Sequence, residues 1–176
     1  MFAGKEFYFM RHGETDHNAN NVLAGGDCDI PLNDMGREQA FLVKSLVESL
    51  PIRAICHSPL KRAVETMKIS SSALSLERLA IEDLKECLAR VWTLMSARKS
   101  CELHGEEVLS FFSQVVRGVN RALSCEEPVL IVAHGGVHWA ICEQLGIEGH
   151  NWDIGNCQLV HFFPAEEDKW NASLLE

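Results

Sequence analysis

FYFMRHGETDHN, residues 7–18, is the stretch on which the reading of the chain turns. Its first residues are apolar and aromatic, the composition of a short buried strand. The run then breaks at once into arginine, histidine, glycine and acid. In α/β domains ligands lie outside the carboxyl ends of parallel strands, so charge placed directly after a core strand marks a candidate site. The question is whether other strand ends carry groups that would meet Arg11 and His12.

Outward from this stretch, residues 6–10 form the first strand candidate, and 13–34, rich in Asn, Gly and Asp, read as loop. Ala40, Val43, Val47 and Leu50 recur at helical spacing over 37–50, and Pro51 ends that helix. Residues 52–56 read as a second strand, with Pro59 suited to the first turn of a helix running toward 73. Residues 80–81 suggest a brief third strand before the acidic stretch 82–86. Over 106–123, Val108, Leu109, Phe112, Val115, Val116, Val119 and Leu123 line one face of a strongly amphipathic helix. The continuous run PVLIVA, 128–133, suits a strand covered on both faces. A helix over 136–145 and a strand over 158–163 complete the pattern. Strands alternating with helices predict an α/β fold, a three-layer α/β/α sandwich around a mostly parallel central sheet.

With 176 residues, 47% hydrophobic and 23% charged, the chain has the size and composition of one domain, expected over 1–176. A formal net charge of -9 argues against nucleic-acid or anionic-membrane partners, which need a basic face. Any anionic ligand must therefore be held by local cations. No apolar run is long enough to span a bilayer, and Lys5 and Glu6 interrupt the start, so no cleavable signal is expected. The seven cysteines (Cys28, Cys56, Cys87, Cys101, Cys125, Cys142 and Cys157) fit neither a disulfide framework nor a zinc ribbon. They read as the reduced thiols of a cytoplasmic protein, in which the acceptor pattern Asn171-Ala172-Ser173 is a chance match.

Three polar clusters follow predicted strands: Arg11-His12-Gly13, then His57-Ser58 with Arg62, then His134-Gly135-Gly136. Two arginines and two histidines converging on one crevice, with glycines that admit a ligand close to the backbone, make a site for a compact anion. A phosphoryl group fits best, since the arginine fork matches its oxygens and helix starts after Ser58 and His134 add N–H donors. A histidine among arginine cations has its protonated form disfavoured, which leaves a ring nitrogen free to attack phosphorus. What such a site still lacks is a proton donor for the leaving oxygen.

These residues carry a resemblance. Arg11-His12-Gly13-Glu14-Thr15 with Asn18, Gly26 to Leu32 with Gly36, Ser58-Pro59-Leu60-Lys61-Arg62-Ala63 with Thr66, and Ala133-His134-Gly135-Gly136 stand in the order of the histidine phosphatase superfamily. The branch resembled is that of phosphoglycerate mutases and small phosphatases such as α-ribazole phosphatases. The resemblance implies metal-independent, cofactor-free chemistry on a small phosphorylated metabolite, with His12 as the nucleophile. It makes Arg11, Arg62 and His134 the clamp on the transferring oxygens, and gives Asn18 and Gly135 a part in holding the phosphate. Glu86 matches the family's acid/base carboxylate, because Leu84-Lys85-Glu86 followed by Trp92 keeps the family spacing. Leu84, Leu88 and Trp92 are the neighbours expected to desolvate it.

The chain also departs from the pattern. Thr93-Leu94 stand where the family has Glu-Gly, and Ala89-Arg90 where it has glycine, so the loop bearing Glu86 is expected to differ. The short span between Glu86 and His134 leaves little room for a lid. This favours hydrolysis over mutase transfer, which must shelter the phosphohistidine from water. Alternatives are a mutase, a protein phosphohistidine phosphatase, disfavoured by Glu-Thr-x-x-Asn, and a phosphate-binding module without turnover.

His134 and His138 have a metal-compatible spacing but lack a third ligand, so His138 reads as a core or helix-surface residue. His17, His57, His104, His150 and His161 receive no catalytic role, although His57 is near enough to line the site. Trp139, Trp152 and Trp170 read as packing residues, and specificity is expected from 22–31 and 86–106.

Overall fold

A computed structural model describes residues 2–97, 105–147, 154–165 and 169–176; Cys101, His104, His150 and Trp152 lie outside the described residues. Six strands form one sheet in the order β3-β2-β4-β1-β5-β6. They are β1 (Phe7–Arg11), β2 (Ala54–His57), β3 (Glu77–Ala80), β4 (Val129–Ala133), β5 (Leu159–Pro164) and β6 (Trp170–Leu175). Pairings among β3, β2, β4 and β1 are parallel, while β5 runs antiparallel to both β1 and β6.

Alternation along the central strands divides the core in two. Phe7 and Phe9 of β1 and Val129, Ile131 and Ala133 of β4 pack beneath α5 (Ala89–Ala97), α6 (Glu106–Ala122) and α7 (Gly135–Leu145). Tyr8, Met10, Leu130 and Val132 face the other way, toward α3 (Lys44–Ser49) and α4 (Lys61–Ser70), with α2 (Asp34–Leu42) against α4. This is the expected α/β/α sandwich. Side chains such as Phe9 and Ile131, fully buried between sheet and helices, each contribute on the order of 1.5–3 kcal/mol from apolar burial.

Parallel register sets the site. Arg11 lies opposite Ala133, and His57 opposite Val132, so the three central strands end level with one another. The ladder continues one step past each end, with the His12 N–H on the Ala133 carbonyl and the Ser58 N–H on the Val132 carbonyl, both at 3.0 Å. His12, Ser58 and His134 therefore leave the sheet side by side.

Several expectations need correction. The helix expected over 37–50 is two, α2 and α3, divided at Val43; α2 begins earlier than expected because the Asn33 side chain caps the Gly36 N–H at 2.8 Å. The third strand is β3, upstream of 80–81 and overlapping it only at Ala80; its exposed residues hide it from a hydrophobicity reading. Pro59 precedes α4, whose first residue is Lys61. In α6 it is Phe111 that is buried, whereas Leu109 is 50% exposed. The 13–34 loop contains a short helix, α1 (Asp16–Ala19), capped by Thr15. Residues 89–97, where no element is expected, form α5. No described helix is long and apolar enough to cross a membrane.

Candidate active site

At the level strand ends lies a small cleft of about 70 Å³ lined by Arg11, His12, Asn18, Arg62, Glu86 and Gly135, together with apolar residues. Each of the seven expected site residues bears on it: six line it, and His134 touches the His12 ring. The two imidazoles meet edge to face, their centroids 5.1 Å apart.

His12 is 4% exposed, and its Nδ1 lies 2.7 Å from the Gly13 carbonyl. A carbonyl oxygen only accepts, so Nδ1 carries the hydrogen and the neutral ring keeps its lone pair on Nε2. Burial is the largest influence holding the His12 pKa well below its ordinary 6.5, followed by the Arg62 and Arg11 cations. The arginine effect expected from the sequence is present but ranks second to desolvation.

The loop after His12 is fastened at several points. The Gly13 N–H donates to Thr66 Oγ1 at 2.9 Å, and that hydroxyl donates to the Arg62 carbonyl at 2.7 Å, tying the loop to α4. Gly13 has no left-handed backbone; a Cβ there would come within 2.5 Å of the Gly36 carbonyl oxygen. Its role is thus close approach to α2 rather than the turn itself.

The Arg62 side chain is fully buried, reached through a fork of carbonyls: Nη1 donates to Cys28 at 2.7 Å and Nη2 to Gly25 at 3.5 Å. Its Nε is buried with no protein acceptor among the described residues. Arg11 Nη1 donates to the Ile154 carbonyl at 2.6 Å. The His134 Nε2 lies 2.7 Å from Ser58 Oγ, which accepts the Leu60 N–H at 3.3 Å. The other ring nitrogen of His134, Nδ1, is buried and without a partner among the described residues. Burial, then Arg62, keeps His134 neutral as well.

Asn18 has two tasks. Its Oδ1 closes the capping box with the Thr15 N–H at 3.1 Å and meets Asn156 Nδ2 at 3.4 Å, while its side chain also lines the cleft. Asn156 is a residue the sequence reading missed. It lies just before β5 and donates to the His12 carbonyl at 2.9 Å, bracing the loop from the antiparallel side. Its only sequence signal, Gly155-Asn156 ahead of a strand, is that of any turn.

The Glu86 carboxylate is packed on the start of α7, although the residue as a whole is only part buried. Oε2 accepts the Gly136 N–H at 3.1 Å and Oε1 its neighbour Cys87's N–H at 2.9 Å. Burial raises its pKa above the ordinary 4.5 against the opposing pull of these N–H groups, Arg62 and Arg11. Of the residues expected to desolvate it, Leu84 is buried in the core, Leu88 is 40% exposed, and Trp92 lines the cleft. Ala89, Arg90, Thr93 and Leu94 all lie within α5: Ala89, Arg90 and Leu94, which favour helix, stand where the resemblance puts glycine.

His57 is buried at the end of β2 and is not among the residues lining the cleft; its Nδ1 bonds the Ser58 carbonyl at 2.9 Å. His138 is a core residue, in ring contact with Phe9 at 5.5 Å and Phe162 at 5.8 Å. His161 stacks on Tyr8 and bridges to Glu6.

A family model described as histidine phosphatase superfamily (branch 1) matches residues 7–175. The chain belongs to this superfamily. Relatives of this histidine phosphatase chain include agropine synthesis reductase of Rhizobium rhizogenes, 30% identical over 175 residues. That alignment takes in 90% of this chain but 39% of the reductase, so the chain spans well under half of that relative. The uncharacterized phosphatase PhoE of Bacillus subtilis is 30% identical over 175 residues, covering 92% of this chain and 89% of its own. The crystal structure of the α-ribazole phosphatase from Shigella flexneri superposes with a TM-score of 0.71 at 21% identity, covering 97% of this chain and 95% of that one. The histidine phosphatase chain thus shares the fold of the phosphoglycerate mutase-like proteins.

Proposed function

We propose that the protein is a phosphatase that hydrolyses a small-molecule phosphomonoester through a phosphohistidine on His12, with Glu86 as general acid and then base. The observation that carries this reading is the state of His12: neutral, with Nδ1 committed to the Gly13 carbonyl and Nε2 left as the base, in one cleft with two guanidinium groups and a carboxyl of raised pKa.

In the first step Nε2 bonds to phosphorus as the ester P–O bond breaks, and the departing alkoxide takes the proton of Glu86. In the second, the Glu86 carboxylate takes a proton from water, whose oxygen bonds to phosphorus as the P–N bond breaks. Alcohol and inorganic phosphate leave, and His12 and Glu86 return to their starting states. Arg11, Arg62, the His134 ring and the Gly135 end of α7 hold the phosphoryl oxygens, with Asn18 at the rim. The two guanidinium groups supply the positive charge that phosphoryl transfer requires, so this route needs no metal.

The free state of the six described cysteines supports a reducing, cytoplasmic setting. The test is hydrolysis of p-nitrophenyl phosphate by purified wild-type protein and by His12→Ala. The reading expects loss of essentially all turnover in the variant, and equal rates would refute it.

A further inference from the structure

We infer that the alcohol half of the substrate is apolar and bears no second anionic group. This rests on the phosphatase reading and concerns the far end of the same cleft. Beyond the anion end, the walls are Val22, Leu23, Ala24, Ala89 and Trp92. Val22 and Leu23 are 49% and 50% exposed, apolar side chains left in solvent at the rim. They lead directly into Gly25, whose carbonyl Arg62 holds, so they stand beside the phosphate clamp.

Trp92 closes the other side. A Cβ on Gly135 would lie 3.4 Å from its Cη2, so the indole edge reaches the start of α7, where the phosphate would sit. The Trp139 ring meets the Trp92 ring at 5.6 Å and 90°, holding it in place. A rigid aromatic wall opposite exposed aliphatic side chains is a surface for an apolar group.

Charge points the same way. Arg11 and Arg62 are the only cations among the described residues lining the cleft, and both serve its anion end. Past Glu86 and Cys87 a larger cavity of about 710 Å³ opens, presenting Asp27, Glu82, Asp83, Glu106 and Glu107. Its Lys85 and Arg90 are paired, at 2.7 Å, with Glu82 and Glu107, and Asp83 pairs with Arg117 at 3.0 Å, so the acidic excess facing this cavity comes from Asp27 and Glu106. Among the described residues, a second phosphate or a carboxylate on the alcohol would find no further cation in the cleft and an acidic excess beside it, which selects against bisphosphates and phosphoglycerates.

The test compares kcat/KM of the purified full chain for n-hexyl phosphate, glycerol phosphate and 3-phosphoglycerate. With glycerol 1-phosphate all three release primary alkoxides, and the neighbouring hydroxyl makes glycerol and glycerate the better leaving groups, so a preference for the hexyl ester would run against leaving-group reactivity. The expected order is hexyl ahead of glycerol by about tenfold or more, with phosphoglycerate last. Trp92→Ala and the double variant Val22→Ser/Leu23→Ser should each bring the hexyl-to-glycerol ratio close to one; the double variant changes exposed side chains, so its folding is not at stake. The inference is overturned if phosphoglycerate is hydrolysed as well as the hexyl ester, or if the ratio is unchanged in both variants. If none of the esters, p-nitrophenyl phosphate included, is hydrolysed, the phosphatase reading itself falls.

Discussion

Glu86 Oε2 accepts the Gly136 N–H at 3.1 Å, which seats the carboxyl on the amino end of α7 two residues past His134. The same helix start thereby places both the proposed acid and the proposed phosphate-binding Gly135. The environment of Glu86 is a balance in which burial raises the pKa while two N–H groups and two arginines lower it, and burial prevails.

Gly136 permits this seat, because a Cβ there would overlap Glu86 Oε1 and come within 3.1 Å of Cys87 Sγ. Gly136→Ala should therefore displace the acid and lower kcat by about 10²-fold for alkyl esters, as small misplacements do. The loss should be smaller for p-nitrophenyl phosphate, whose leaving group depends less on a proton. A merely structural defect would reduce both substrates alike, so steady-state kinetics on the pair separate the two.

The pH profile follows from the two opposite shifts. Phosphoryl transfer to His12 needs the histidine neutral, which its lowered pKa secures to well below pH 6.5, and Glu86 protonated, which its raised pKa extends above pH 4.5. The kcat/KM of an alkyl ester should be highest on the acid side and fall as pH rises through the Glu86 pKa. Glu86→Gln should lose that falling limb and 10²- to 10⁴-fold in rate, roughly the worth of a general acid. Measuring both proteins on one substrate cancels the substrate's own ionisation.

Stability should depend on pH through the same histidines. His12 and His134 bind protons less readily folded than unfolded, so their contribution is present above pH 6.5 and lost as pH falls below it. Each would supply a slope of up to about 1.4 kcal/mol per pH unit. Urea unfolding between about pH 7.5 and pH 5.5 should show His134→Asn with a shallower slope than wild type. Parallel slopes would mean that His134 is not held neutral.

Arg62 reaches its carbonyl partners through two separate nitrogens, a geometry lysine lacks. Arg62→Ala should lower kcat/KM by about 10²-fold or more, and Arg62→Lys should recover only part of it. Competitive inhibition by inorganic phosphate should weaken in the same order.

The part of this architecture legible in the sequence is the part fixed by uninterrupted burial. β1 and β4 read as strands because no residue in their core is polar, and three strand ends carrying Arg11-His12, Ser58 and His134 predict their own convergence once the sheet is parallel. β6 escapes notice and β3 is read only at its last residue because both are edge strands with half or more of their residues exposed, and pairing with β5 and β2 makes them strands. The periodicity of Ala40, Val43, Val47 and Leu50 runs straight across the break at Val43, which a hydrophobic pattern does not register. Side-chain chemistry does not separate Glu86 from Glu82 and Asp83, and in the sequence only its spacing to Trp92 does so; in the structure it is set apart by the seat on α7, a contact made across 50 residues. Asn156 is hidden for the same reason, since its partner His12 is 144 residues away.

The central claim is that phosphate passes through His12, and trapping the intermediate tests it most directly. Purified protein mixed with excess labelled phosphomonoester and quenched in alkali within milliseconds should carry label on the peptide containing His12, stable to base and lost in acid, with none on His12→Ala. Label on another residue, or full turnover by His12→Ala without any phosphoenzyme, would contradict the account.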